Sequence, residues 1–157
     1  MSRGVGWLLL WLPLAGCAGQ QERALARLEH IAGEVMSAPC AAPEYGYRQV
    51  KNPHVPGLID EIETLRCPGL EAQTYLSRES ARPDGMPIYL RMSGPHAGLP
   101  AFLQPGSPGA GLAEQLGPPA ERSAARWRYG SAETTETVVI EWQGGVIRQL
   151  RWEWYFD

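Results

Sequence analysis

The alternation of apolar and polar residues is clearest at the C-terminal end of the chain, where it predicts three β-strands. Residues 126–130, 136–142 and 146–156 are rich in β-branched and aromatic side chains. Gly144 and Gly145 separate the last two segments, an arrangement typical of a β-hairpin. We therefore expect three consecutive antiparallel strands here.

The register of this hairpin is predicted by the requirement that its apolar residues share one face. A shift of one residue moves every side chain of a strand to the opposite face. A three-residue loop at 143–145, with Gly145 left-handed, collects the apolar residues on one face and leaves Ile147 on the other. That apolar face, which earlier helices are expected to cover, comprises Val138, Ile140, Trp142, Val146, Leu150, Trp152 and Trp154.

Two helices are predicted from apolar residues that recur at three- and four-residue spacing. Residues 21–36 carry such a stripe and are followed by Pro39, which ends the helix. This helix packs on the core or, alternatively, lies on a membrane or a partner. Residues 56–65 carry a second stripe, with Asp60, Glu61 and Glu63 on a predicted solvated face.

The middle of the chain predicts further strands and one irregular region. Residues 45–51, 71–77 and 86–92 have extended character, a turn is expected at 82–85, and Pro87 indicates an edge strand. Residues 93–119 are rich in glycine and proline, which predicts a linker or a rigid surface loop with a short helix within 111–117. Phe102 and Leu103 in this region either dock into the core or anchor a partner.

Together these elements predict the α+β class. We expect two or three helices packed on an antiparallel sheet that ends in a three-stranded C-terminal meander. Residues 22–157 are interpreted as a single α+β domain containing the loose loop 93–119, because their number suits one hydrophobic core.

The N-terminal residues predict export. Residues 1–16 contain Arg3 followed by an apolar run that is too short to span a bilayer, as in a signal peptide. The run ends in Leu-Ala-Gly-Cys at 14–17, which resembles the lipobox of bacterial lipoproteins. The resemblance implies cleavage before Cys17, lipidation of that cysteine, a short tether at 17–21 and, because Ala18 follows, sorting to the outer membrane. An ordinary secretory signal with a chance cysteine is the alternative.

Charge and cysteine content agree with this compartment. Removing residues 1–16 takes away Arg3 and no acidic residue, which leaves 13 basic against 17 acidic residues and no basic footprint for nucleic acid. In an oxidising periplasm Cys40 and Cys67 most simply form a disulfide. It is expected to clamp the two predicted helices together. Two free thiols or half of a metal site are the alternatives.

The chain contains no recognisable catalytic motif. It lacks Gly-x-Ser-x-Gly, His-Glu-x-x-His and a phosphate-binding glycine loop. His30, His54 and His96 do not have the spacing of a zinc site, although the fold could bring them together. We expect no enzyme activity, no catalytic residue, no metal and no cofactor.

The order of motifs after residue 102 resembles the SmpA/OmlA family, the small outer-membrane lipoprotein of the β-barrel assembly machinery. The resemblance rests on Leu-Gln-Pro-Gly at 103–106, Leu-Gly-Pro-Pro at 116–119, Trp-Arg-Tyr-Gly at 127–130 and the Gly-Gly hairpin. It implies a short helix followed by a three-stranded sheet and a role in outer-membrane protein assembly. This chain departs from the family pattern in the long segment between the lipobox and this unit.

These observations predict a non-catalytic binding or scaffolding module that is lipid-anchored at the periplasmic face of the outer membrane and holds a protein partner. The alternatives are an inhibitor-like module that binds a periplasmic enzyme, and a small hydrolase or ligand-binding lipoprotein. Surplus aromatic side chains are candidate contacts for the partner, although the same residues could belong only to the core. The candidates are Trp127, Tyr129, Trp152, Trp154 and Tyr155.

Overall fold

A computed structural model describes residues 16–155 apart from 80, 81, 83 and 132. The predicted signal peptide therefore lies almost entirely outside the described residues, as does the side chain of Cys17. None of the helices in this part of the chain is long and apolar enough to cross a lipid bilayer.

Eight antiparallel strands form one sheet, in the order β1-β2-β3-β4-β8-β7-β6-β5. Two four-stranded meanders, β1 to β4 and β5 to β8, thus meet along their last strands. The strands are β1 (Glu44–Lys51), β2 (Ile59–Cys67), β3 (Leu70–Leu76), β4 (Met86–Met92), β5 (Glu121–Arg122), β6 (Arg126–Tyr129), β7 (Glu136–Gln143) and β8 (Val146–Trp154).

The predicted fold class is wrong. The described chain is dominated by this eight-stranded sheet and has one long helix, α1 (Gly16–Ser37), and one short helix, α2 (Leu112–Leu116). It is not a sheet with two or three helices packed on it, and its last three strands do not form a separate meander. Strands lie where 126–130, 136–142 and 146–156 predicted them, but β8 also pairs with β4.

The long helix covers one face of the sheet over its C-terminal half. Its apolar stripe, which includes Leu28, Ala32 and Val35, is buried against Leu150, Trp152 and neighbouring core residues. Burial of such side chains contributes roughly 1.5–3 kcal/mol each. The helix begins at Gly16 rather than 21, so that residues 17–21, expected as a tether, are helical.

Residues 59–65 of the predicted second helix lie in strand β2 instead. Strand β2 pairs with β1 along eight residues and with β3 along seven, and such pairing overrides an apolar spacing that also suits a helix. Its β-branched residues Ile59, Ile62 and Thr64 fit a strand better than a helix.

Asp60, expected on a solvated face, is fully buried in the described structure. Its carboxylate accepts hydrogen bonds from the Tyr75 hydroxyl, the Asn52 amide and the backbone N–H of Arg78. These bonds, led by that from Tyr75, hold the pKa of Asp60 below its usual value. The buried carboxylate of Asp60 therefore links β2 to β3 and to the segments that follow β1 and β3.

The hairpin between β7 and β8 has an apolar face as predicted, but its turn and its register differ from the prediction. Its loop has two residues, Gly144 and Gly145, both with positive φ, and Gln143 pairs with Val146. The register then shifts between Glu141 and Trp142, so that β8 carries one extra residue beyond the turn. As a result Ile147 is buried and Val146 is exposed, the reverse of the prediction.

Strand β4 lies inside the sheet, so the expectation that Pro87 marks an edge strand is wrong. β8 pairs only with Tyr89–Met92 of this strand, which leaves Pro87 outside the β4–β8 ladder. The β3–β4 register also shifts beside Thr74, the partner of Pro87. A residue without an N–H is tolerated at such a position.

The glycine- and proline-rich region 93–119 is a rigid loop rather than a linker. It contains the predicted short helix, α2, and a 3₁₀ turn at Ala101–Leu103. Leu103 is completely buried and Phe102 packs beside it, which favours docking into the core over anchoring a partner. Arg27 of α1 donates to the carbonyl of Gln115 at 2.6 Å and stacks on the Phe102 ring.

The predicted disulfide between Cys40 and Cys67 is present, with the two Cα atoms 6.1 Å apart. It does not clamp two helices as expected, because Cys67 ends strand β2. The bridge instead ties the segment after α1 to the sheet.

Candidate binding site

The aromatic residues predicted to bind a partner divide into buried and exposed groups. Trp127, Tyr129 and Trp152 are at most 8% exposed and belong to the core. The Trp152 indole N–H donates to the carbonyl of Leu28 at 3.0 Å, and burial raises the pKa of Tyr129 to about 12. These three side chains therefore serve mainly to pack the core.

Trp154 and Tyr155 lie nearer the solvent. The Trp154 indole N–H donates to the Glu29 carboxylate at 2.7 Å, which joins the end of β8 to α1. Tyr155 is 52% exposed, and its hydroxyl donates to Glu153. The five predicted residues therefore do not gather into one surface.

One of them, Trp127, contributes to a cleft at the end of the sheet formed by β5, β6 and β7. The cleft has a volume of about 390 Å³, within the range of small ligand sites. The rings of Trp127 and Trp142 meet edge to face, with centroids 5.3 Å apart. We call it the aromatic cleft; it is lined by Gly109, Ala110, Arg122, Ser123, Ala124, Trp127, Trp142 and Gly145.

Close packing fixes the position of the Trp142 ring in the aromatic cleft. A Cβ atom on Gly109 would lie only 2.2 Å from Cζ3 of Trp142, so only glycine fits beneath the ring. The indole N–H of Trp142 is buried and has no hydrogen-bond partner among the described residues. A buried donor without a partner costs about 1–3 kcal/mol.

The charges at this end of the sheet are unusual for an acidic protein. The guanidinium of Arg122 lies over the Trp127 ring, 4.7 Å from its centroid. Neither Arg122 nor the exposed Arg126 has a carboxylate partner within the described part of the chain. Four other sheet arginines, Arg66, Arg91, Arg128 and Arg151, have a glutamate partner, whereas Arg48 and Arg148 have none among the described residues.

A second, smaller hollow lies on the opposite side of strand β5. Its volume is about 120 Å³, and Arg122, Arg126 and Arg128 line it together with Glu121 and Ser123. Glu121 bonds Arg128 at 3.3 Å, so Arg122 and Arg126 are the two arginines of this hollow without a glutamate partner among the described residues. We call it the basic hollow. The outermost strand thus separates an aromatic cleft from a basic hollow.

The three histidines occupy separate structural settings. His30 is exposed on α1 and His54 is exposed in the loop after β1. His96 accepts from the N–H of Gly98 and donates from Nε2 to the carbonyl of Pro39 at 2.9 Å, which is a structural role. Among residues 16–155 as described, no three His, Cys, Asp or Glu side chains gather to hold a metal ion.

Sequence reasoning missed three parts of the cleft: Trp142, Arg122 and Gly109. Trp142 was assigned to the apolar face because its position fitted the strand alternation. A usable signal was present in the three arginines of the short stretch 122–128, which no strand pattern requires. The role of Gly109 depends on a contact across the fold that sequence spacing does not show.

Comparison with protein-family models, with curated proteins and with solved structures found no match to this chain.

Proposed function

We propose that this protein is a non-catalytic binding module of the bacterial envelope, anchored by lipid on Cys17 at the periplasmic face of the outer membrane. The lipobox-like sequence at 14–17 and the Cys40–Cys67 disulfide support this location, because disulfides persist in oxidising compartments. The module holds a protein partner at the aromatic cleft.

The observation that carries this proposal is the exposed arginine-rich rim beside two tryptophans. Tryptophan and arginine are enriched where protein partners contribute most binding energy, and charged side chains without internal partners are available to a second molecule. Arg122 is exposed at the aromatic cleft, and Arg126 is exposed in the adjoining basic hollow. The other exposed aromatics lie elsewhere, with Tyr45 and Tyr47 at the far edge of the sheet.

We propose outer-membrane protein assembly as the process in which the partner takes part. The proposal rests on the resemblance of residues 103–147 to the SmpA/OmlA family. The element order supports it in part, because α2 is followed by the two-residue strand β5 and then by the three consecutive strands β6, β7 and β8. A shared order of elements does not by itself establish a shared role, so the partner has to be identified by experiment.

The test is affinity capture of the tagged, full-length lipoprotein from the membranes of a Gram-negative host. We expect a β-barrel assembly subunit to co-purify with the wild-type protein, and the Arg122→Gln/Arg126→Gln double variant to lose most of it. Arg66→Gln/Arg91→Gln is the matched control, because it removes two sheet arginines far from the cleft. Equal capture by both double variants would exclude the cleft as the binding site.

A further inference from the structure

The aromatic cleft and the basic hollow lie on opposite faces of one edge strand. In the β5–β6 ladder Arg122 lies opposite Trp127, and Glu121 lies opposite Arg128. Residues opposite each other in an antiparallel pair point to the same face, so Arg122 and Trp127 face the aromatic cleft. Glu121 and Arg128 face the other side, where the basic hollow lies.

Strand β5 is also open to a further strand. It is the last strand of the described sheet, and both of its residues are exposed. An unpaired edge presents backbone N–H and C=O groups that an extended peptide can bind by strand addition. Side chains of such a peptide alternate between the two faces of the sheet.

From this arrangement we infer that β5 binds an extended segment of the partner in which apolar and acidic residues alternate. The apolar side chain enters the aromatic cleft, and the acidic side chains on either side of it reach Arg126 in the basic hollow. The inference rests on the proposed function and adds the chemical class of the recognised segment.

Charge favours an acidic segment over a neutral or basic one. The guanidinium of Arg122 lies over the Trp127 ring, on the face that takes the apolar residue, so the acidic residues of the segment meet the opposite face, which carries Arg126 and Arg128. Arg126 has no carboxylate partner in the part of the chain that the structure describes. A basic segment would place its cations against Arg126 on that face and be repelled.

Binding of a synthetic peptide tests the inference directly. The probe has about seven residues, with glutamate alternating with valine and a central phenylalanine, and carries a fluorophore for anisotropy measurements with the full-length protein in detergent. We expect saturable binding that weakens as salt is added, because charge pairs at an exposed site are screened. Arg126→Gln should weaken it about tenfold, whereas Arg66→Gln should leave it unchanged.

Two peptide controls separate strand addition from simple charge attraction. Methylation of the backbone nitrogens removes hydrogen-bond donors but keeps every side chain, and it should weaken binding at least tenfold. A scrambled peptide with the same composition but adjacent apolar residues should also bind less tightly. Equal binding of either control would overturn the inference, as would the absence of binding by the alternating peptide.

The outcome is separable from the test of the proposed function. If membrane capture depends on Arg122 and Arg126 but the alternating peptide does not bind, the cleft is a partner site and the inferred segment is wrong. If the peptide binds as expected but the double variant still captures the partner, strand addition at β5 stands and the proposed function fails.

Discussion

At the scale of single residues, the contact between Glu29 and Glu136 carries the clearest pH dependence. Glu136 is half-buried beside Glu29, and its pKa is raised to about 8 by burial, by the hydrogen bond to Glu29 and by the negative charge of Glu29. The N–H of Trp154 opposes this rise in part. The hydrogen bond between Glu29 and Glu136 links α1 to β7, and it requires one of the two carboxyl groups to be protonated.

The predicted consequence is a loss of stability as the pH rises. The folded pKa exceeds the unfolded value of 4.5, so stability is complete below pH 4.5 and is lost as the pH passes through about 8. Glu136→Gln, which keeps the hydrogen-bonding shape without a charge, should flatten this decline. Urea unfolding at pH 5 and pH 9 measures it.

Glu133→Gln is the matched control for this prediction, because it makes the same chemical change in the exposed turn before β7. It should retain the wild-type dependence on pH. A Glu136→Gln variant whose stability declines between pH 5 and pH 9 as steeply as that of the wild type would contradict the account.

Single residues also show where sequence reasoning reached its limit. Asp60 was assigned to solvent because acidic residues at helical spacing are usually exposed. Its burial depends on three donors brought by Asn52, Tyr75 and Arg78, all at least eight residues away in the chain. A local sequence pattern cannot indicate that a carboxylate is buried when its hydrogen-bond donors come from distant segments of the chain.

At the scale of elements, Gly109 and Gly33 make opposite predictions for the same substitution. Gly109→Ala pushes a methyl group into the Trp142 ring and should lower the free energy of unfolding by about 1–3 kcal/mol. Gly33 lies within α1 with open space around it, so Gly33→Ala should raise that free energy by about 0.5–1 kcal/mol.

Chemical denaturation of the two variants measures both changes. Tryptophan fluorescence adds a local readout, because displacement of Trp142 should alter the emission of Gly109→Ala and leave that of Gly33→Ala unchanged. A Gly109→Ala variant with wild-type stability and emission would show that the ring does not rest on the backbone as described.

The disulfide makes a second prediction at this scale. It closes a loop with a sequence separation of 27 residues between α1 and the end of β2. Loss of that constraint from the unfolded chain should reduce the free energy of unfolding by roughly 3 kcal/mol. The Cys40→Ser/Cys67→Ser variant and the reduced wild type should show the same loss, and an unchanged denaturation midpoint would contradict it.

Elements were predictable where local pattern and tertiary pairing agreed. The long helix, strands β1, β3, β4 and β6 to β8, and the short helix α2 follow from their sequences. β2 does not, because its apolar spacing suits both periods and only pairing with β1 and β3 decides between them. The extra residue after the β7–β8 turn could not be predicted from the sequence for a similar reason, because it depends on the register between two strands.

At the scale of the whole molecule, the joining of two meanders into one sheet was not predictable. β4 and β8 are more than fifty residues apart, and neither sequence specifies that the other is its partner. The aromatic cleft depends on the same long-range assembly. Gly109 comes from the 93–119 loop, whereas Trp127 and Trp142 come from β6 and β7. A site built from three distant segments has no sequence motif.

Site-specific photo-crosslinking in a Gram-negative host tests the central claim, that the aromatic cleft holds a protein partner. A photoreactive phenylalanine derivative replaces Ala124 on the cleft, or Lys51 on the opposite edge strand as the control. The account predicts a discrete adduct with one envelope protein from position 124, none from position 51, and loss of the adduct in the Arg122→Gln/Arg126→Gln background. Adducts of equal yield from both positions, or an adduct at position 124 that the double variant retains, would contradict it.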